Sequence, residues 1–180
     1  LALHWFLEHG QAGLAQLNGA FMFAIWNARE RELILANDRL GQRHLYYAAL
    51  GDHFAFACGV RGLLADERVP RTTDLVAFAQ VLSFEHLLGE RTYLTAVKLL
   101  PPATVMRVRD GKITTSAYWR LAFAETFPFL KRQDYFDGML HALRQSVARQ
   151  PMSDSASGIN LSGGLDSRML LGLAAEQGDP

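Results

Sequence analysis

The hydrophobic pattern changes its period near Asn18, and this change separates a short helical stretch from a series of strands. Before it, apolar residues recur at helical spacing, and Gly10 and Gly13 divide the stretch into two pieces. After Gly19, short apolar or alternating runs are bounded by turn residues, which favours strands joined in hairpins. The first run, 20–26, is almost wholly apolar and predicts a buried strand. The other predicted strands are 32–36, 44–49, 53–58, 104–109 and 112–119.

Helical spacing returns in four segments. Asp74 is a helix-capping residue type directly before the apolar segment 75–84, and 60–65 predicts one short helical turn. Near the end, 135–149 is amphipathic, 158–161 predicts a short apolar strand, 162–166 a glycine turn, and 167–175 a helix. The first part of the chain therefore predicts antiparallel sheet with a few helices, and the last part a helix–strand–loop–helix order. We expect a larger α/β domain to continue past Pro180, because one parallel strand cannot satisfy its own hydrogen bonds.

Composition and charge exclude several classes of protein. The 180 residues include 18 Lys plus Arg and 18 Asp plus Glu, so no single-sign field favours nucleic acid or a membrane surface. No apolar run approaches the roughly 20 residues that span a bilayer. The single cysteine, Cys58, excludes an internal disulfide and a multi-cysteine zinc site, and it ends an apolar strand where a small core residue is expected. A reducing, cytoplasmic location is the simplest expectation.

The segment 162–167 carries the chemistry. Gly163 and Gly164 let the backbone approach a ligand without a Cβ in the way, and the helix that follows offers free N–H groups and a positive dipole end to a phosphate. Ser162 and Ser167 add hydroxyl donors. Asp166 would repel a bare phosphate, so its presence indicates Mg²⁺ between the carboxylate and a pyrophosphate group. The segment has neither the Gly-Lys-Ser/Thr ending of a Walker loop nor the spacing of a dinucleotide fingerprint or a nucleophile elbow.

The segment 162–167 resembles the Ser-Gly-Gly-x-Asp-Ser loop of the N-type ATP pyrophosphatases. Upstream segments are similar, in the same order, to asparagine synthetases that carry a class II glutamine amidotransferase domain. These segments are 17–26, 36–41, 45–47, 54–57, 63–64, 82–84, 99–102, 109–111 and 118–119.

This resemblance implies a fold in two parts. Residues 1–122 would be the C-terminal part of the amidotransferase domain, an α+β N-terminal nucleophile-type sandwich of two sheets between helices. Residues 123–132 would be a linker. Residues 133–180 would begin the synthetase domain, a parallel-sheet α/β fold of the adenine nucleotide alpha hydrolase type.

The resemblance also implies an activity. Glutamine would supply ammonia, and ATP would convert a carboxylate, normally that of aspartate, into an acyl-adenylate that ammonia attacks. The cofactors would be ATP and Mg²⁺. The partners would be small-molecule substrates, with no nucleic acid and no membrane, and homodimer formation is left as an open alternative. Asp166 would hold Mg²⁺ through the pyrophosphate, and Leu161 would lie near the adenine or ribose. The residues implied for binding ATP and pyrophosphate are Leu161, Ser162, Gly163, Gly164, Leu165, Asp166 and Ser167.

The chain departs from the family pattern at several positions, which leaves alternatives open. Ala103 replaces a usual Gly, Arg168 replaces a common Ser, 58–59 reads Cys-Gly in place of Ser-Glu, and 42–44 reads Gln-Arg-His in place of apolar-Lys-Pro. Similar drift occurs in β-lactam synthetases and lasso-peptide cyclases, which act on other carboxylates. A non-catalytic ATP-binding or assembly module is a third alternative. We expect the family's nucleophilic cysteine upstream of Leu1, and therefore no turnover by this segment alone.

Overall fold

A computed structural model describes residues 2–123, 131–150 and 158–176, and the chain divides into two compact units. The first unit is Leu1–Ala122 and the second is Phe123–Pro180. Among the described residues, no helix has the length and apolar character needed to cross a membrane.

The first unit alternates short helices with hairpins, as the sequence pattern predicts. Gly10, with φ +61°, ends the first helix and a 3₁₀ turn follows it, which confirms the two helical pieces. The elements are α1 (Ala2–His9), the 3₁₀ turn (Ala12–Gln16), β1 (Met22–Asn27), β2 (Glu32–Asn37), β3 (Tyr46–Leu50), β4 (His53–Ala57), α2 (Val60–Leu63), α3 (Leu75–Phe84), β5 (Lys98–Leu99), β6 (Thr104–Arg109) and β7 (Lys112–Ala117).

Two antiparallel sheets form the first unit. Strands β1-β2-β6-β7 make a four-stranded sheet, and β4-β3-β5 make a three-stranded sheet. The three predicted hairpins are confirmed, with Asn27 paired to Glu32, Leu50 to His53, and Arg109 to Lys112. The pairing of β5 with β3 was not predicted, because two residues are too short to show an alternating pattern.

Three apolar clusters show how the layers of the first unit pack. One cluster joins α1 and the 3₁₀ turn to the outer face of the larger sheet through Phe6, Leu14 and Ile34. A second joins the two sheets, and a third covers the outer face of the smaller sheet with α2. Neighbouring positions on one strand point to different layers, as the period of two requires. The unit is therefore a mixed α/β sandwich in which two antiparallel sheets lie between helices, consistent with a glutamine amidotransferase domain. The second cluster comprises Leu35, Leu45, Tyr47, Leu100 and Met106.

Two sequence predictions in this unit are wrong. Strand β1 is not buried: it is an edge strand of the sheet, and the Trp26 side chain is 60% exposed. Its apolar run also lacks a covering layer on one face, which hydrophobicity alone cannot reveal. Cys58 is exposed rather than part of the core, because it lies one residue beyond the end of β4.

The second unit contains two described helices, α4 (Arg132–Ala148) and α5 (Leu165–Ala175). Both confirm the predicted helices but begin earlier. Helix α4 starts three residues ahead of the prediction because the Asp134 carboxylate accepts the Lys131 N–H at 3.0 Å and caps the first turn. Arg144 on α4 and Glu176, directly after α5, form an exposed bidentate ion pair with a shortest distance of 2.7 Å.

The strand predicted at 158–161 is not formed. Its described backbone is irregular, and no strand of the described residues lies beside it. A strand needs a neighbour to accept its hydrogen bonds, and an apolar run by itself cannot supply one. Residues 124–130 of the predicted linker lie outside the described residues, as do 151–157 and 177–180.

Candidate functional site

The predicted loop is a tight turn that leads directly into helix α5. Gly163 has φ +83°, a left-handed value that a residue with a side chain adopts only with strain. Gly164 is extended, with φ −75° and ψ 165°, and immediately precedes the first helical residue. No side chain caps the helix there. The N–H groups of its first turn have no acceptor within the helix, so they face the loop as donors for a ligand.

The two serine hydroxyls of the loop lie close together. Ser162 Oγ is 3.3 Å from Ser167 Oγ, and Ser167 Oγ donates to the Gly164 carbonyl at 3.1 Å. Ser167 is 9% exposed, whereas Ser162 is exposed. The structure therefore brings both hydroxyls to one side of the turn, where they can contact the same group.

The predicted site also includes two leucines and an aspartate. Leu161 and Leu165 are both exposed, and Leu165 reaches 77%. Asp166 is exposed in the first helical turn. Its carboxylate is thus accessible to a hydrated cation.

The loop can supply only some of the oxygen ligands that a Mg²⁺ ion needs. Among the described residues, no group of three His, Cys, Asp or Glu side chains is arranged to hold a metal ion. Mg²⁺ usually keeps several waters and binds through one or two carboxylates plus the phosphates of its substrate. Asp166 can supply one such carboxylate, so any Mg²⁺ here would depend on the phosphate oxygens of a bound nucleotide.

Sequence reasoning treated Arg168 only as a departure from the family pattern, but its side chain lies at the loop. Arg168 Nε is 3.4 Å from the Gly164 carbonyl, the same oxygen that accepts Ser167 Oγ. The signal was available in the sequence, because helical side chains lean toward the N-terminus of their helix. A residue one position beyond Ser167 therefore leans back toward the loop.

A second polar cluster lies in the first unit, around a buried carboxylate. Asp38 is 2% exposed and accepts four backbone N–H groups, those of Phe21, Leu40, Gln42 and Arg43, at 3.0–3.3 Å. Burial alone would raise the pKa of this carboxyl, but the N–H donors outweigh burial and hold its pKa below the ordinary value. This carboxylate organises the turn after β2.

An open cavity of about 210 Å³ lies beside this turn, lined in part by Asp38, Arg39 and Trp119. The Arg39 guanidinium stacks over the Trp119 ring at 5.9 Å and donates to the Leu17 carbonyl at 3.1 Å. These contacts tie the last residues of the unit to the turn after β2, so their evident role is structural.

Comparison with known proteins places both units. Residues 1–119 match the family of the glutamine amidotransferase domain, and residues 138–180 match asparagine synthase. The first match covers more than half of the chain. The chain therefore belongs to the glutamine amidotransferase domain family, and its two matched regions follow the asparagine synthetase order.

Individual relatives agree with this order. The chain is 27% identical over 178 residues to asparagine synthetase [glutamine-hydrolyzing] 3 of Bacillus subtilis, covering 96% of this chain and 28% of that protein. Asparagine synthetase [glutamine-hydrolyzing] 1 of the same organism is 29% identical over 171 residues, covering 94% and 26%. Amidase chyE of Penicillium rubens is 26% identical over 172 residues, covering 94% and 25%. The chain thus spans about a quarter of the length of the curated relatives it matches.

Proposed function

We propose that the protein containing this chain is an ATP-dependent amide synthetase that uses glutamine as its nitrogen donor. The carrying observation is the order of the two matched regions, a glutamine amidotransferase region followed by an asparagine synthase region that includes the loop 162–167. In this proposal residues 1–122 belong to the amidotransferase domain, 123–132 link the domains, and 133–180 begin the synthetase domain with its parallel-sheet α/β fold.

The proposed reaction has two steps at the synthetase domain. A carboxylate oxygen of aspartate attacks the α-phosphorus of ATP, and the bond from that phosphorus to the pyrophosphate oxygen breaks. Ammonia released from glutamine then attacks the acyl carbon, and AMP leaves together with a proton. Water hydrolyses the glutamine amide to release the ammonia, and the products are asparagine, glutamate, AMP and pyrophosphate.

The loop would stabilise the charge that develops on the leaving pyrophosphate. The hydroxyls of Ser162 and Ser167 and the backbone N–H groups around Gly163 and Gly164 would donate to its oxygens. Donors that are already in place need no reorganisation when the charge develops. Mg²⁺, when bound through Asp166 and the phosphates, would neutralise part of that charge.

The two leucines would act by shape rather than by charge. In this proposal Leu161 presents apolar surface to the adenine or ribose of ATP and Leu165 lies in the ATP-binding loop, and both side chains are exposed beside the turn. Bound nucleotide would remove that apolar surface from water, a favourable change.

The names of the relatives bear on the choice of the carboxylate substrate. The relatives include proteins called asparagine synthetase and proteins called amidase, at similar identities. Aspartate is our first choice because three of the relatives are named glutamine-hydrolysing asparagine synthetases of one organism. A related carboxylate remains the second candidate.

The test is carboxylate-dependent exchange of labelled pyrophosphate into ATP by the full-length protein. We expect exchange with aspartate, and we expect Asp166→Ala to lower it about 100-fold, the order found when one group that stabilises transition-state charge is removed. The control is Asp137→Ala, which removes an exposed carboxylate from α4 and should leave exchange unchanged.

Three results would contradict parts of the proposal. Wild-type pyrophosphate exchange by the Asp166→Ala variant would show that Asp166 has no role in the site. Exchange with another carboxylate but not with aspartate would assign the protein to the second candidate. Failure to bind ATP with Mg²⁺ in calorimetry would favour a non-catalytic module.

A further inference from the structure

Arg168 brings a positive charge to the loop at a position where the resembled family commonly has Ser. Its Nε–H points at the Gly164 carbonyl at 3.4 Å, so the side chain folds back along the first turn of α5 toward the glycines. A guanidinium has five N–H donors, and this contact uses one of them. The terminal nitrogens remain for another acceptor beside the turn.

The charge of Arg168 is poorly placed for the stability of the helix. The N-terminal end of a helix carries the positive end of its dipole, so a cation in or near the first turn is unfavourable there. Asp166 does not compensate for it directly, because residues two apart on a helix do not face each other and no ion pair joins them. Among the residues that the structure describes, no carboxylate lies within ion-pair distance of Arg168.

A bound anion would make the same charge favourable. Guanidinium groups bind phosphate through short, charge-assisted hydrogen bonds that are stronger than neutral ones. Ser167 Oγ and Arg168 Nε both contact the Gly164 carbonyl oxygen, and Ser162 Oγ lies 3.3 Å from Ser167 Oγ, so these three donors lie at the same turn.

We propose that the Arg168 guanidinium binds the pyrophosphate portion of the nucleotide held at this loop and so selects ATP and pyrophosphate over AMP. This inference rests on the proposed function, since it assigns one more residue to the same site. The Arg168 side chain would then provide part of the positive charge near the pyrophosphate, in addition to the charge of a bound Mg²⁺ ion. A role confined to phosphates beyond the α-phosphate predicts no effect on AMP binding.

The experiment is calorimetric titration of the full-length protein with ATP, inorganic pyrophosphate and AMP, each with Mg²⁺. We expect Arg168→Gln to weaken ATP and pyrophosphate binding about tenfold and to leave AMP binding unchanged. Arg168→Lys keeps the charge without the forked geometry and should lose about threefold. The matched control is Arg149→Gln at the end of α4, which removes an equal charge from another exposed arginine and should bind like the wild type.

The thermal midpoint without ligand separates a binding role from a structural one. Arg168→Gln should unfold at the same temperature as the wild type or slightly higher, because it removes a cation from a helix N-terminus. A lower midpoint, or failure of the variant to fold, would assign Arg168 a structural role and overturn the inference.

The remaining outcomes separate this inference from the function beneath it. If the wild type binds ATP and pyrophosphate and Arg168→Gln binds them equally well, or if AMP binding falls by the same factor, only the role of Arg168 is wrong. If the wild type binds neither ATP nor pyrophosphate, the proposed function fails and this inference fails with it.

Discussion

The Asn37 side chain lies where the end of β2 meets the start of β6. Asn37 is 1% exposed, and its amide nitrogen donates to the carbonyls of Leu100 and Pro101 at 3.2 and 2.9 Å. Its amide oxygen accepts the Thr104 N–H at 3.1 Å. One side chain thus satisfies three backbone groups that β-pairing leaves unpaired at the corner, and leaving such groups buried without partners would be costly.

Ala103, at the same corner, adopts a conformation that favours glycine. Its φ is +53°, and its backbone exchanges hydrogen bonds with Asp38 and Tyr118, each at 2.9 Å. These two bonds and the adjacent corner hold the residue in place. The left-handed conformation gives a physical reason for the glycine that the resemblance leads us to expect here, and this chain has a strained alanine instead.

We expect the effect of Ala103 substitutions on stability to depend on backbone strain rather than on the hydrophobicity of the new residue. A left-handed conformation costs an L-residue about 1–2 kcal/mol. Ala103→Gly should change the free energy of unfolding by less than about 1 kcal/mol, because relief of strain offsets the lost methyl group. Ala103→Val should lower it by about 2–3 kcal/mol through a branched side chain in this conformation and overpacking.

Chemical denaturation of the two variants and the wild type checks this order. The control is Ala117→Val, which adds the same two methyl groups at an exposed position of β7 and should be nearly neutral. Equal stability of Ala103→Val and the wild type would show that the corner does not hold the residue in the left-handed region.

The loop 162–164 and helix α5 together form the candidate phosphate-binding element. The helix begins without a side-chain cap, and the free N–H groups that a cap would satisfy are the same groups that a phosphate needs. Helix α5 buries Ser167, Leu173 and Ala174 while leaving Leu165 exposed. The C-terminal part of the helix therefore anchors it, and the N-terminal part stays available to a ligand.

Gly163→Ala should separate the conformation of the loop from the stability of its helix. A Cβ at Gly163 meets no atom within 4 Å, so the cost is the strain of φ +83° rather than a clash. We expect ATP binding by the full-length protein to weaken at least tenfold, since the turn must rearrange before the N–H groups align.

The control substitution lies in the same helix. Gly172 lies in the helical interior with open space around it, so Gly172→Ala should raise helix stability by up to about 1 kcal/mol and leave ATP binding unchanged. Wild-type ATP affinity of Gly163→Ala would show that the left-handed turn is not needed for binding.

The molecule carries no net charge, but its carboxylates are not equally tolerant of acid. Three aspartates of the first unit have pKa values below the ordinary range. Asp66 owes this to Arg68, which forms a bidentate pair with it. For Asp38 and Asp74, burial opposes the shift and hydrogen-bond donors outweigh it. Each carboxylate is therefore held ionised by its folded surroundings.

These shifts predict that the first unit loses stability in acid. A carboxylate whose folded pKa is lowered contributes stability that is fully present above its unfolded pKa, about 3.9 for aspartate, and is lost as the pH falls below that value. The unit should therefore become less stable as the pH falls below about 4. Trp5, Trp26 and Trp119 lie in this unit, so their fluorescence reports on its unfolding.

The contribution of Asp38 can be isolated. Asp38→Asn should reduce the dependence of the unfolding free energy on pH in this range, because one of the three shifted carboxylates is gone. An unchanged dependence would show that Asp38 is not held ionised by the turn.

Local features of the chain were sufficient for the hairpins, the capped helix α3 and the glycine loop. Turn residues, a capping aspartate and two adjacent glycines act on backbone only a few residues away, so their effect is present in the sequence itself. Helix α3 agrees with its prediction at both ends, and the Asp74 carboxylate accepts the N–H groups of Val76 and Ala77 as a cap should. The family assignment follows from the same local motifs taken in order.

Long-range packing decided the rest. Three features depend on which segments of the chain lie next to each other in the fold. They are the edge position of β1, the pairing of β5 with β3, and the absence of a strand at 158–161. Three further features likewise appear only in the folded backbone. They are the N–H groups donated to the Asp38 carboxylate, the left-handed conformation of Ala103, and the contact of the Arg168 side chain with the Gly164 carbonyl. Burial and pairing are properties of neighbours in space, and a sequence specifies those neighbours only through the whole fold.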